Sequence, residues 1–319
     1  MNTPLVSIIT PCYNGAAVIG RMIESVLAQT YDRIEYILVN DGSTDDTEDV
    51  VLSYREQFER RGYQFRYVKQ ENGGLGAAIN AGLKVFTGNY LCWADADDFY
   101  APKSVEKRVT WMEAHPEYGV ITSDAYIVKE GAVDQPLRRV SSGVPDNENE
   151  MQFWNLLDGN SIFTPGTHMV RTSMFLKQYP ERRIYPARRG QDWQLLLPMY
   201  YHYKRHYLNE PLFYYVVSDN SMSRDTSADK ALYRCDEHED ILSHTLDGMQ
   251  MPEADRKNAE RKVRVNYARK RLSISFRAGK KDAAVSAYHS LKKEHAVCGK
   301  DRIYLFCAKH PWARKLLGK

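Results

Sequence analysis

Apolar positions in the first hundred residues fall into short runs, each closed by turn-forming polar residues and followed by an amphipathic stretch. Val6-Ser7-Ile8-Ile9-Thr10 predicts a buried strand, ended by Pro11, Asn14 and Gly15, with a helical pattern from Val18 to Gln29 behind it. Ile34 to Asn40 predicts a second strand. It gives way to Asp41-Gly42-Ser43-Thr44-Asp45-Asp46-Thr47, turn formers and helix-capping residues that open a helix through Val50, Tyr54 and Phe58. Phe65 to Val68 predicts a third strand. Asn72-Gly73-Gly74-Leu75-Gly76 then leads into an alanine-rich helix ending at Lys84, and Gly88 to Trp93 gives a fourth strand. Strands alternating with helices at this spacing predict an α/β fold, a mostly parallel central sheet flanked by helices and joined by right-handed crossovers.

Beyond Lys103 the pattern loosens. Val120 to Ala125, Ile162 to Met169 and Leu212 to Val217 predict further strands, and residues 131–150 are rich in loop formers. From Asp229 onward the chain is polar and helical in character, with Leu272, Phe276, Ala283 and Tyr288 as packing positions. These changes predict a first domain over 1–222 and a basic, helical C-terminal extension over 223–319. Charge sharpens the division: residues 251–319 carry 19 Lys and Arg against 6 Asp and Glu, whereas the preceding residues carry 25 against 35.

At 319 residues, 43% hydrophobic and 27% charged, the chain has the composition of a globular protein with a substantial core. No apolar run approaches the roughly 20 residues that cross a bilayer. The first strand follows the N-terminus without a basic leader, so the expected location is cytoplasmic. Five scattered cysteines lack paired ligand spacing, against a disulfide framework or structural zinc.

The densest chemistry lies where the fourth strand ends. Leu91-Cys92-Trp93-Ala94 runs into Asp95-Ala96-Asp97-Asp98, three carboxylates within four residues. Packed carboxylates repel one another, and a hard divalent cation carrying phosphate oxygens is one way to hold them together; a solvated acidic turn is the other reading. In parallel sheets, ligands bind beyond the carboxyl ends of the strands. Pro11 to Asn14, Asp41 and Asp95 to Asp98 all follow predicted strands and so converge on one crevice.

Five pieces in order resemble glycosyltransferase family 2, the nucleotide-sugar-dependent class with the GT-A fold that builds bacterial surface glycans. They are Val6 to Asn14; Val39 to Asp45; Asn72-Gly73-Gly74 with Asn80-Ala81-Gly82; Gly88-Asn89-Tyr90 running into Asp95 to Asp98; and Gly190-Gln191-Asp192-Trp193. The resemblance spans roughly residues 5 to 222. It implies an inverting transferase that uses a UDP-sugar and Mn²⁺ or Mg²⁺. Pro11 and Tyr13 would lie beside the nucleotide base, Asp41 on a polar edge of that base and Asp95 on the ribose or donor sugar. Asp97 would hold the metal on the diphosphate, with Asp98 structuring the turn. Asp192 would be the general base that deprotonates an acceptor hydroxyl, although an Asp opening a helix is also an ordinary N-cap. His168 would lie on the acceptor side. The glycine cluster reads either as a phosphate approach or as a plain turn.

The sequence departs from the family pattern in three places. Ile79 stands where relatives carry Arg, Gln191 replaces the first acid of Glu-Asp, and Val216 and Ser218 occupy the places of an Arg and a His, with Ser221, Ser223 or Arg224 as substitutes. The departures keep alive an alternative, a catalytically silent nucleotide-sugar-binding scaffold. A sugar-phosphate nucleotidyltransferase would show a basic glycine-rich loop after the first strand, and a dinucleotide oxidoreductase a Gly-x-Gly-x-x-Gly; neither is present. The expected partners are a UDP-sugar donor and a glycan or lipid-linked saccharide acceptor. Lys300 to Leu317 mixes aromatics, aliphatics and cations, which predicts either peripheral contact with the inner face of a membrane or a helix docked by its apolar side. No nucleic-acid-binding module is recognisable.

Overall fold

The computed structural model describes residues 3–218, 227–310 and 312–313. Ser221, Ser223 and Arg224, and residues 311 and 314–317 of the basic stretch, lie outside that set. The chain forms two units, Met1–Ser218 and Asp219–Lys319.

The first unit is built on one sheet. Its strands are β1 (Val6–Cys12), β2 (Ile34–Asp41), β3 (Gln64–Gln70), β4 (Tyr90–Trp93), β5 (Phe99–Tyr100), β6 (Tyr118–Lys129), β7 (Arg138–Arg139), β8 (His168–Arg171) and β9 (Lys204–Val217). The helices are α1 (Ile19–Leu27), α2 (Thr47–Leu52), α3 (Arg55–Arg61), α4 (Leu75–Val85), α5 (Ser104–Ala114), α6 (Phe153–Leu157), α7 (Thr172–Gln178) and α8 (Gln191–His202). The strand order is β3-β2-β1-β4-β8-β6-β9-β5, with β7 beside β6. The half from β3 to β4 is parallel, as the alternation of elements predicts. Past β4 the sheet becomes mixed, because β8 runs antiparallel to both β4 and β6, β5 is antiparallel to β9, and β6 and β9 are parallel.

Both faces of the parallel half are covered, which explains its continuous apolar runs. Val6, Ile8, Tyr36, Leu38, Tyr90 and Cys92 pack with Met22, Val26, Phe58, Val105 and Met112 on one face. The alternate residues face α4, where Gly82 lets helix and sheet approach closely: a Cβ there would lie 2.5 Å from Ile9. Strand β3 is the edge, and its residues alternate between exposed and half-buried.

Several boundaries differ from the sequence reading. The single helix predicted through Phe58 breaks at Ser53 and Tyr54 into α2 and α3, and the Ser53 hydroxyl takes the Val50 carbonyl at 2.6 Å. Residues 162–167 are loop rather than strand, because Pro165 and Gly166, with φ of 80°, interrupt the run before β8. The second unit holds α9 (Ala228–Gly248), α10 (Glu253–Ala278), α11 (Lys281–Lys293) and α12 (Gly299–Lys309). Leu272 and Phe276 are buried as expected. On α11 the inward face is Ala284, Ala287 and Leu291, whereas Ala283 and Tyr288 sit half-buried at its margin. All five cysteines are free thiols. Among the described residues no helix is long and apolar enough to cross a membrane.

Glu35, fully buried near the start of β2, ties the amino ends of three strands together. It accepts hydrogen bonds from the Ser7 hydroxyl, the Thr87 amide (2.8 Å) and hydroxyl (2.9 Å), and the Arg66 guanidinium (2.7 Å). Burial pushes its carboxyl up, but these donors outweigh burial and hold it below its ordinary value. Its stabilising effect is therefore present above the unfolded-state value and lost as pH falls through the folded one. Glu35→Gln is expected to cost about 1–3 kcal/mol at neutral pH in urea unfolding. The gap should narrow below roughly pH 4; a gap constant across that range would contradict the assignment.

Candidate active site

The loops leaving β1 and β2 are knitted to each other. Asn14, at φ of 48°, donates its amide to Ser43 Oγ (2.9 Å) and accepts the Thr44 amide on Oδ1 (2.8 Å). The Gly15 amide donates to Thr47 Oγ1 (2.9 Å), and the Asp45 carboxylate accepts the amides of Ala16 and Thr47 (both 3.1 Å). This lattice leaves Tyr13 54% exposed at the rim, while Pro11 is buried within β1.

Asp41, at the end of β2, is only 4% exposed. Its Oδ1 accepts from Gln70 Nε2 (2.6 Å) and the Gly73 amide (2.9 Å), and its Oδ2 from the Gly74 amide (2.8 Å). Gly74, at φ of 83°, lies under Arg188, and the Gly76 amide donates to Ala187 O (2.9 Å). The amides of Gly73, Gly74 and Gly76 are thus occupied by protein acceptors. Of the two readings of the glycine cluster, the geometry matches a turn: it joins β2, α4 and residues 185–188.

Past β4, ligand oxygens of Asp95, Asp97 and Asp98 lie within 4.8 Å of one another. Asp98 is fully buried; its Oδ1 accepts the Val216 amide at 2.8 Å, and its Oδ2 has no hydrogen-bond partner among the described residues. Asp97 is exposed, and its carbonyl receives Arg21 Nη2 at 2.6 Å. Arg21 is itself paired with both oxygens of Glu130 (2.8 and 3.1 Å), so its charge is already matched. Burial is the main force raising the Asp95 and Asp98 carboxyls, and the protein crowded around Asp97 raises that carboxyl too although its side chain is open to solvent. Asp95, further repelled by Asp97, rises to about 7, and Asp98, repelled by both neighbours, goes well above the carboxylate range. Three converging oxygens and one orphaned buried oxygen fit a hard divalent cation.

Asp192 lies in the first turn of α8, but Gly190, at φ of 75°, is the N-cap, and no side chain caps this helix. The N-cap reading of Asp192 is therefore set aside. Its Oδ1 instead accepts the indole N–H of Trp93 at 2.7 Å, across 99 residues of sequence. The carboxylate is 8% exposed; burial pushes it well up, Asp95 adds repulsion, and the Trp93 hydrogen bond opposes both. Trp93 and Asp95 are two residues apart at the end of one strand, so Asp192 shares the charge field of the acidic cluster.

His168 is fully buried, with Nδ1 3.0 Å from Thr122 Oγ1 and its ring stacked on Trp93, and burial pushes its pKa well down. It packs behind Trp93. Ile79 and Val216 are core residues at 1% and 5% exposure, so neither position presents polar chemistry, and Gln191 is buried. The sequence reading missed Trp93, Arg21, Arg188 and Phe163. Only Trp93 gave a usable signal, as an N–H-bearing aromatic on an inward strand position beside an acidic run.

A family model described as glycosyl transferase family 2 matches residues 7–184. An uncharacterised glycosyltransferase of Rickettsia felis is 35% identical over 189 residues, which cover 57% of this chain and 30% of that protein. The matches to this and the next curated relatives span about a third of their length. Among solved structures, Staphylococcus aureus TarS 1–349 in complex with UDP-GlcNAc aligns with a TM-score of 0.66 at 16% identity, over 96% of this chain and 92% of that one. The mannosyltransferase PcManGT from Pyrobaculum calidifontis, in complex with GDP-Man and Mn²⁺, aligns with a TM-score of 0.55 at 17% identity, over 99% and 87%. These likenesses show the GT-A-type α/β fold. With the family model matching over half of its length, the chain belongs to glycosyl transferase family 2.

Proposed function

We propose that the protein transfers a hexosyl or N-acetylhexosaminyl group from a UDP-sugar to a hydroxyl of a glycan or lipid-linked saccharide, with inversion, in bacterial surface polysaccharide synthesis. The reading rests chiefly on one juxtaposition: Asp192, held by the Trp93 indole, stands in the same charge field as Asp95 and the Asp97–Asp98 turn. Asp192 takes the proton of the acceptor hydroxyl, whose oxygen attacks the anomeric carbon from the face opposite the nucleotide. Asp97 and Asp98 would hold Mn²⁺ or Mg²⁺, which would supply positive charge for the departing diphosphate, and Asp95 contacts the ribose or donor sugar. Tyr13 and Pro11 border the base; Asp41 shapes that end through the loop it holds and retains acceptor capacity for a base N–H. A UDP donor is supported by the TarS complexes with UDP and UDP-GlcNAc, and a metal by the PcManGT complex with Mn²⁺.

In a thermal-shift assay, UDP with Mn²⁺ is expected to raise the melting temperature by several degrees, roughly the effect of 100-fold saturation. Asp97→Ala should abolish the Mn²⁺-dependent part. Because the raised carboxyls of Asp97 and Asp98 bind protons more firmly, Mn²⁺ affinity should fall as pH drops. An unchanged shift in Asp97→Ala would remove that residue from the metal site.

Asp192→Asn should lower transfer or donor hydrolysis by roughly 10²–10⁴-fold while leaving the UDP and Mn²⁺ shift intact. If the wild type binds UDP-sugars but neither transfers nor hydrolyses them across a broad acceptor panel, the silent scaffold replaces the enzyme reading. A product of retained anomeric configuration would overturn inversion.

The C-terminal unit supports membrane contact. Helix α12 packs Cys307 and Ala308 inward, while Ile303 and Phe306, one turn apart, are 53% and 48% exposed and Trp312 is 60% exposed. Lys300, Arg302 and Lys309 are exposed around them. An apolar surface rimmed by cations suits an anionic bilayer. Co-sedimentation with phosphatidylglycerol vesicles, but not phosphatidylcholine vesicles, is expected. Ile303→Ser with Phe306→Ser should weaken it about tenfold; equal binding by the double variant would discard this surface.

A further inference from the structure

Beside the proposed base, the surface is aromatic. Trp193 directly follows Asp192 on α8, and its half-buried ring stacks on Phe163 with centroids 5.9 Å apart and planes 17° from parallel. Phe163 is 43% exposed although Ile162 before it is fully buried and Pro165 after it is buried. The loop that presents it is firmly held. The Gly166 amide donates to the Trp93 carbonyl (2.7 Å), Arg108 Nη1 donates to the Gly166 carbonyl (3.0 Å), and the Thr167 hydroxyl donates to the Thr164 carbonyl (2.7 Å). Phe163 therefore presents an apolar ring to solvent next to the helix that carries Asp192.

Trp93 links this ring to the chemistry. Its carbonyl anchors the Phe163 loop, and its indole anchors Asp192. The Phe163 loop and the carboxylate are therefore both tied to one residue, with Trp193 following Asp192 on α8, and an acceptor hydroxyl presented to Asp192 would bring the rest of its molecule onto the neighbouring rings. A pyranose suits such a surface: one of its faces is lined with C–H groups that pack on the electron-rich face of an aromatic ring, while its hydroxyls remain outward for water or polar side chains.

We propose that Phe163 and Trp193 form the acceptor subsite, a stacking platform for a sugar ring of a saccharide acceptor adjoining Asp192. This rests on the reading of Asp192 as the base. It deepens that reading by committing the acceptor to a cyclic saccharide at the point of contact rather than an open-chain polyol, a peptide or a bare lipid headgroup.

The test uses saturation-transfer NMR on the full chain with UDP and Mn²⁺, probing N,N′-diacetylchitobiose, cellobiose, maltose and lactose, with sorbitol as the open-chain control. UDP-GlcNAc hydrolysis and melting temperature are followed in parallel. At least one disaccharide should receive saturation on its ring protons and sorbitol none. Phe163→Ala should weaken that disaccharide about tenfold and Phe163→Tyr should retain it, both variants still unfolding cooperatively and still shifting with UDP and Mn²⁺. Absence of any disaccharide signal on the wild type, equal signals from sorbitol, or a Phe163→Ala protein that binds as the wild type does would each overturn the platform. If donor hydrolysis persists in that last case, the platform alone has failed. A wild type that neither binds nor hydrolyses any UDP-sugar, yet binds a disaccharide through Phe163, would sink the transferase reading and leave the saccharide site standing.

Discussion

Concentrated negative charge at the carboxyl end of β4, in the middle of the sheet, is the constraint around which the first unit is arranged. Asp95, Asp98 and Asp192 are raised chiefly by burial, with mutual repulsion adding to it, and Asp97 is raised by the protein crowded around it. Arg21, paired with Glu130, draws Asp97 and Asp98 down but does not offset burial. Carboxylates kept together under these conditions either hold protons or bind a cation. Neighbouring elements fix their positions regardless: the β9 amide of Val216 holds Asp98, Arg21 holds the Asp97 carbonyl, and Trp93 holds Asp192.

The other buried acids show what a purely structural carboxylate looks like in the same fold. Glu35 has donors on both oxygens from Ser7, Thr87 and Arg66. Asp124 accepts from the amides of Ala125 and Ser141 and from the Ser141 hydroxyl. Asp41 accepts three N–H groups and fixes the Gly73–Gly74 loop. Asp98, by contrast, keeps one buried oxygen unpartnered. Burial alone does not separate the two kinds; the completeness of the donor shell does. By this criterion Asp41, with three internal N–H donors, is of the structural kind.

The same physics sets what could be read from the chain. Strands β1, β2 and β4 were legible because both of their faces are buried, so their residues are apolar without interruption. Strand β5 was not, since two residues carry no period. Ile162 to Met169 looked like a strand until Gly166 turned the chain at positive φ. On α11 the inward face was misplaced by one residue at Ala283, where a short side chain gives little contrast between faces. Asp95, Asp97 and Asp98 were legible because they are adjacent. Asp192 came from resemblance alone, and its contact with Trp93 could not be read, because no local pattern reports a hydrogen bond spanning 99 residues.

That contact also explains why the donor at Trp93 is a neutral indole. A lysine or arginine reaching Asp192 would neutralise the carboxylate and pull its pKa down, leaving a weak base. It would also place a cation beside the cluster, in competition with any divalent ion there. The indole N–H supplies direction without charge: it fixes one oxygen at 2.7 Å while burial and Asp95 keep the proton affinity of the carboxylate high. Because the carbonyl of the same residue holds the Gly166 amide, the orientation of Asp192 and the position of the Phe163 loop are both tied to the last residue of a four-residue strand. Fixing both from one short, fully buried strand places them on a rigid element of the sheet, which favours precise geometry more than a site assembled on loops alone.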